Sequence, residues 1–333
     1  MVDRSNNRII RFAAPLASGQ AAHGLLGQAG YLNASDGTGR DGLSNPESVA
    51  VDESGNVLVY DQSNSRLLAY DRPFGRLSPS RTVNLSTRMA VLTGENVLIG
   101  GFVIEGTAPK RVVIRARGPS LSGFGILNAL ANPVLQLFSG PTQIASNDDW
   151  RGAANAADVQ ASGFAPSNDR ESAILATLQP GAYTAIVSGA GGVTGVGIVE
   201  VFEVDTPATP LINIATRGAV LTGSDVMIAG FVIQGPSAQT VVVRARGPSL
   251  AQAGVAQPLA NPLLQLFAGA TSIASNDDWT VSGNAAAIQA SGFAPPNPRE
   301  AAILVTLQPG AYTAIVSGVG GTTGVGIVEV FIP

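Results

Sequence analysis

The residues best suited to chemistry recur as one pentapeptide, SNDDW, at 146–150 and again at 275–279. Asn147, Asp148 and Asp149, and likewise Asn276, Asp277 and Asp278, put an amide and two carboxylates on consecutive positions after an apolar run. Hard oxygens of this kind suit calcium, which takes about six to eight ligands. Three consecutive side chains cannot all face inward from an extended strand, so an ion site needs a turn and further oxygens. Glu171 and Glu300 are the candidates to supply them. Asp158 and Asp169 add to the first occurrence alone, because Ala287 and Pro298 take their places in the second. The spacing is not that of an EF-hand loop. The alternative is an Asx-type turn in which the same oxygens satisfy backbone N–H groups. Both readings are open at this point, and calcium is the one cofactor the sequence offers.

Arg115 and Arg117 lie at i and i+2, hence on one face of a strand. They suit an anion or glycan contact, or an ion pair across the sheets with Glu200, which interrupts the apolar series Val196, Ile198, Phe202; Arg244 and Glu329 repeat the arrangement. Trp150 and Trp279 are either sugar-stacking platforms or apolar packing at a sheet edge. SGAGGVTGVG (188–197) has no Lys-Ser/Thr and reads as a hairpin loop rather than a phosphate cradle. Ser120 sits in no nucleophile elbow, and His23, the sole histidine, has no visible acid partner.

What positions these residues is a duplication. Trp150 and Trp279 are separated by 279 − 150 = 129 positions, and the same offset carries Arg115 to Arg244 and Tyr183 to Tyr312. RARGPSL, ASNDDW, LQPGAYTAIVSG and GVGIVEVF are identical in the two copies. A unit this long is a domain, not a solenoid repeat of about 20–50 residues. Within it NVLIGGFVI, RVVIRARG, VLQLF, ESAILATL, AYTAIVSG and VGIVEVF are strand-length, Val/Ile-rich and bounded by turn residues. AANAADVQASG (153–163) allows a helical turn or two. Short strands at this spacing predict an all-β architecture, two tandem jelly-roll-like β-sandwiches over 82–204 and 211–333, joined by the Pro-rich linker 205–210.

Composition agrees and excludes other classes. In 333 residues there are 40 Gly and 21 Pro but only 13% charged side chains, the balance of a turn-rich β chain. The net charge of −4, without a basic run, argues against nucleic acid as partner. No apolar run is long enough to span a membrane. The absence of cysteine removes disulfides and thiolate chemistry.

A second, weaker repeat lies at the start. VDRSNNRIIRFAAP (2–15) aligns with YDQSNSRLLAYDRP (60–73), the latter preceded by NPESVAVDESGNVLV (45–59). Strands are predicted at 48–51, 57–61 and 66–70, with a turn at 52–56 and a Gly/Ser/Asn-rich insertion over 18–44. The segment resembles NHL repeats, which implies a partial β-propeller over 1–72, followed by a linker at 73–81. One blade cannot bury its own faces. The chain is therefore expected to be the C-terminal piece of a longer protein that carries further blades and any export signal.

The duplicated domain in turn resembles a poorly characterised family found in tandem at the C-termini of large secreted bacterial proteins. LQLF, IASNDDW and PGAYTAIVSG are more distantly similar to the pre-peptidase C-terminal domain of secreted hydrolases. Neither resemblance supplies catalytic residues. Together they imply a non-catalytic extracellular or cell-surface accessory or adhesion module, with a polysaccharide or protein as ligand. Two alternatives stand beside it: an appendage of a secreted enzyme whose site lies on other propeller blades, and a structural subunit of a surface assembly.

Overall fold

The segment LIGGFVI alternates buried and half-buried residues without a break, as do PVLQLF and its counterpart PLLQLF. Such period-two patterns turn one face of a strand toward a core. In a computed structural model of the protein they assemble into an all-β fold with short helical turns and no closed barrel among the described residues. The described residues are all but 13–21, 23, 29–34, 39–41, 53–55, 72, 74–80, 206–210 and 236, with the side chains of 81–85 and 212–214 also excluded. His23, most of both linkers, and much of the insertion and of the 52–56 turn lie outside them. The chain divides into two compact units, Met1–Pro79 and Ser80–Pro333.

The first unit holds two three-stranded antiparallel sheets, β1 (Val2–Asp3), β2 (Arg8–Arg11), β3 (Gly24–Leu26) and β4 (Pro46–Val51), β5 (Val57–Asp61), β6 (Arg66–Tyr70). They enclose Ile9, Leu43, Val57, Val59 and Tyr70. The weak repeat has a geometric basis. Asp3 accepts from Asn6 and Arg8, and Asp61 likewise accepts from Asn64 and Arg66, at 2.6–3.1 Å in the first cluster and 2.7–2.8 Å in the second. Asn7 and Ser65 follow in left-handed conformation at φ 52° and 49°. Leu58, Tyr60 and Leu67, on the other face of the second sheet, remain exposed.

In the second unit copy 1 supplies β7 (Arg81–Val91), β8 (Leu98–Ile104), β9 (Lys110–Arg117), β10 (Pro133–Ser139), β11 (Thr142–Asn147), β12 (Ser172–Leu178), β13 (Gly181–Gly189) and β14 (Gly195–Glu203). Copy 2 supplies β15 (Leu211–Val220), β16 (Met227–Gln234), β17 (Gln239–Arg246), β18 (Pro262–Ala268), β19 (Thr271–Asn276), β20 (Ala301–Leu307), β21 (Gly310–Gly318) and β22 (Gly324–Phe331). Strand order is the same in both copies. The copies do not stand side by side as closed sandwiches, however. One run of strands reads β12-β9-β14-β7-β16-β21-β18-β19 and the other β20-β17-β22-β15-β8-β13-β10-β11, so each begins in one copy and ends in the other. All pairings between these described strands are antiparallel, and a single bridge, Ala90 to Ala219, joins the two runs.

The first strand of each copy makes the junction, pairing with its own last strand on one side and with the other copy on the other. A local twofold relates the copies there. Thr87 and Thr216, equivalent by the 129-residue offset, meet in the core with their hydroxyls 2.8 Å apart, one donating to the other. Met89 and Gly218 are also equivalent, and differ. Met89 fills the space a side chain at 218 would need, since a Cβ on Gly218 would lie 2.2 Å from the Met89 Cε. One hydrophobic core runs through both copies, from Leu98, Phe102 and Leu135 to Phe231, Leu264 and Val328.

Connections differ from expectation at one point. β13 and β14 belong to opposite runs, so the Gly-rich segment between them crosses from sheet to sheet and is not a hairpin. Glycine enrichment serves both kinds of sharp turn, and Gly191 and Gly192 adopt φ of 65° and 79° here.

Candidate functional site

β11 and β12 are edge strands on opposite runs, and SNDDW begins where β11 ends. Asn147 ties the two edges together: its Oδ1 accepts from the N–H of Ala173 at 2.9 Å, and its Nδ2 donates to the carbonyl of Asp149 at 3.2 Å. Asn276 makes the same contacts to Ala302 and Asp278 at the same distances. Asp148 and Asp149 are exposed along a shallow groove of about 510 Å³ lined also by Asn155 and Leu175. In copy 2 Asp277 Oδ1 accepts from the N–H of Asp278 at 3.0 Å.

Glu171 lies elsewhere. It is fully buried, and its Oε1 accepts from the backbone N–H groups of Gly118 and Ser120, both at 3.0 Å, and from the Ser120 hydroxyl at 2.6 Å. Glu300 repeats this with Gly247 and Ser249 at 2.6–3.0 Å. The carboxylate anchors the start of the loop after β9, and its backbone accepts from the N–H of Trp150 at 2.9 Å. Asp169 pairs with Arg151. Among the described residues no three His, Asp or Glu side chains converge as a metal site would require. The sequence signal for the Ser–Glu lock was RARGPSL itself, read for its arginines and not for the loop that follows them.

Those arginines pair within one sheet and not across two. Glu200 stands directly opposite Arg115 on the neighbouring strand, with Arg115 Nε 2.5 Å from Glu200 Oε2. Strand parity fixes the face on which a side chain emerges but not which strand is its neighbour. Arg115 also lies over the Phe202 ring and donates to the carbonyl of Phe164. Arg244 and Glu329 repeat the pair at 2.6 Å.

The two tryptophans have different surroundings. Trp150 is 1% exposed, packs with Val159 and Ala173, and is capped by the Arg151 guanidinium 4.5 Å from its ring. Trp279 is half-buried and donates from Nε1 to the carbonyl of Asn297 at 3.2 Å. Thr280 and Pro298 stand where copy 1 has Arg151 and Asp169.

Asn147→Ala is expected to destabilise by about 1–2 kcal/mol, because it strands the N–H of Ala173. Asp148→Ala should stay within about 0.5 kcal/mol, as exposed substitutions do. Melting curves of both, recorded in EDTA and in millimolar calcium, check this, and each pair of curves is expected to superimpose. A calcium-dependent rise in the parent chain that Asp148→Ala abolishes would favour the ion reading over the turn reading.

No helix among the described residues is long and apolar enough to cross a membrane. No protein-family model matches the chain, and no curated protein does. Among solved structures it is matched to the major capsid protein P2 from bacteriophage PM2, at 8% identity and a TM-score of 0.18 over 74% of this chain and 97% of that one. A likeness this loose carries no argument about fold or function.

Proposed function

We propose that this chain is a non-catalytic accessory or adhesion region of an extracellular or cell-surface protein, binding a ligand through loops held by rigid sheets. The observation that carries the reading is the continuity of both strand runs across the copies. It fixes the loop sets 118–132 with 147–171, and 247–261 with 276–300, in one body, and loops on a rigid scaffold are where recognition concentrates. The arrangement of β7-β14-β9-β12 with β8-β13-β10-β11 supports reading each copy as a jelly roll. The repeated Asp–Asn–Arg clusters support reading 1–72 as part of an NHL-type propeller. The open edges β11 and β19, with Ile144 and Ile273 exposed, favour a surface-assembly subunit as the second reading.

Affinity electrophoresis of the full chain through gels containing purified polysaccharides separates them. Under the first reading at least one glycan retards the chain while light scattering stays constant with concentration. Concentration-dependent growth without retardation would replace it with the second.

A further inference from the structure

Copy 1 and copy 2 diverge in one direction around a single side chain. In copy 1, Trp150 is closed off by Arg151, which is held by Asp169, so positions 151 and 169 together form a lid over the ring. In copy 2 the same two positions are Thr280 and Pro298, and Trp279 is half-buried where Trp150 is 1% exposed. Neighbouring changes follow suit: Gly152 becomes Val281, which is 80% exposed, and Ser167 becomes Pro296, also exposed. Duplication thus leaves one tryptophan buried under a charged cap and the other half-buried, without that cap, two residues before the exposed Val281.

We infer that Trp279, with Asp277 and Asp278 before it in the chain, Val281 two residues after it and Pro298 next to its hydrogen-bond partner Asn297, is a glycan platform for neutral pyranose units that present an apolar C–H face. An indole is large, rigid and apolar on its faces, so it binds flat partners at low entropic cost. Its Nε1 is already held by the Asn297 carbonyl, which fixes the ring before any ligand arrives. Asp277 and Asp278 immediately precede it and outnumber Arg299, the one cation in the neighbouring 297–299 segment, so the local field opposes uronates and sulfated sugars. Both carboxylates are half-buried, and with Asp277 Oδ1 accepting from the N–H of Asp278, Asp277 Oδ2 is the oxygen left to accept from a sugar hydroxyl. The inference rests on the binding-module reading and assigns its ligand class and its residues.

The test uses the full chain and a panel of cellohexaose, laminarihexaose, chitohexaose and, as the acidic member, an alginate hexamer. With Trp150 buried, acrylamide quenching of intrinsic fluorescence reports mainly on Trp279. A neutral member is expected to protect Trp279 from acrylamide, and Trp279→Ala to weaken its binding by about tenfold or more, the scale of an interface tryptophan. Thr280→Arg with Pro298→Asp rebuilds the lid of copy 1. It is expected to lower acrylamide quenching without ligand and to abolish glycan binding, with melting unchanged. Binding that survives Trp279→Ala, or survives a lid shown by quenching to have closed, overturns the platform and leaves the module reading intact. Preference for the alginate hexamer, or no binding by any neutral member, also overturns it. Retardation by polysaccharide gels that is insensitive to Trp279 would mark a binding module whose site lies elsewhere.

Discussion

Produced as two separate polypeptides, residues 80–204 and 211–333 are expected to form a 1:1 complex and not two independent monomers. β7 and β15 each carry hydrogen-bonding edges used by both copies, and the core beneath them is common. A lone copy would expose one side of its first strand and of its second, together with the apolar face they cover. The identity at the twofold sets the preference for mixed pairing. Two copies of the first kind would oppose Met89 to Met89, and two of the second would oppose Gly218 to Gly218 and leave a void. Overpacking of a core costs about 1–3 kcal/mol, and emptying a Met-sized site about 2–5 kcal/mol. In the full chain, Gly218→Met and Met89→Gly should each destabilise on those scales, and the two together should recover most of the loss. Native mass spectrometry of the mixed halves and melting of the swap variants measure both effects. Well-folded monomeric halves would show that the strand sharing is dispensable.

Glu171→Ala is expected to be among the most destabilising single substitutions, and Glu300→Ala its equal in copy 2. Each removes the acceptor of two backbone N–H groups and a hydroxyl in a dry interior. Hydrogen bonds to a charged group contribute about 1.5–3 kcal/mol, and buried donors left unpaired add their own penalty, so a loss of about 4 kcal/mol is the scale. For a unit this large that lowers Tm by on the order of 10 °C. Glutamine should cost less, because its amide oxygen still accepts from the Gly118 and Ser120 N–H groups. Ser120→Ala should cost least, removing one donor and leaving the carboxylate its other two. Calorimetry of the four variants gives the ranking, and a Glu171→Ala Tm within about a degree of the parent would sink the account of this loop.

Much of this architecture was legible. The gapless 129-residue offset dictates equivalent strands in both copies, and the alternation in LIGGFVI dictates which side faces the core. Pairing between copies was not legible, since the two hydrogen-bonding edges of β7 look alike in a one-dimensional string. The available clue is Thr87 and Thr216, polar residues at inward and equivalent positions, whose hydroxyls meet across the junction. From the sequence, Glu171 is as apt an oxygen donor for a cation as for a backbone amide. A carboxylate serves N–H donors and metal ions equally, and what distinguishes them is the loop from Gly118 to Ser120, more than 50 residues away in sequence. The different burial of Trp279 is hidden for a similar reason: an identical pentapeptide ends in each tryptophan, and the residues that separate them in kind are the next one, Arg151 or Thr280, and a second one further along the chain, Asp169 or Pro298.

Strand sharing bears on how such a gene can change length. A gene that has duplicated a 129-residue unit once can lose that unit or gain a third by the same kind of event. A protein of separate beads would tolerate either event. Here every loss or gain of a single unit leaves a first strand with no second chain segment to complete its sheet, as β7 is completed by β16 and β15 by β8. Copy number in a chain of this design is therefore constrained by parity: viable lengths step by two units, and an odd count is viable only where another polypeptide closes the open edge.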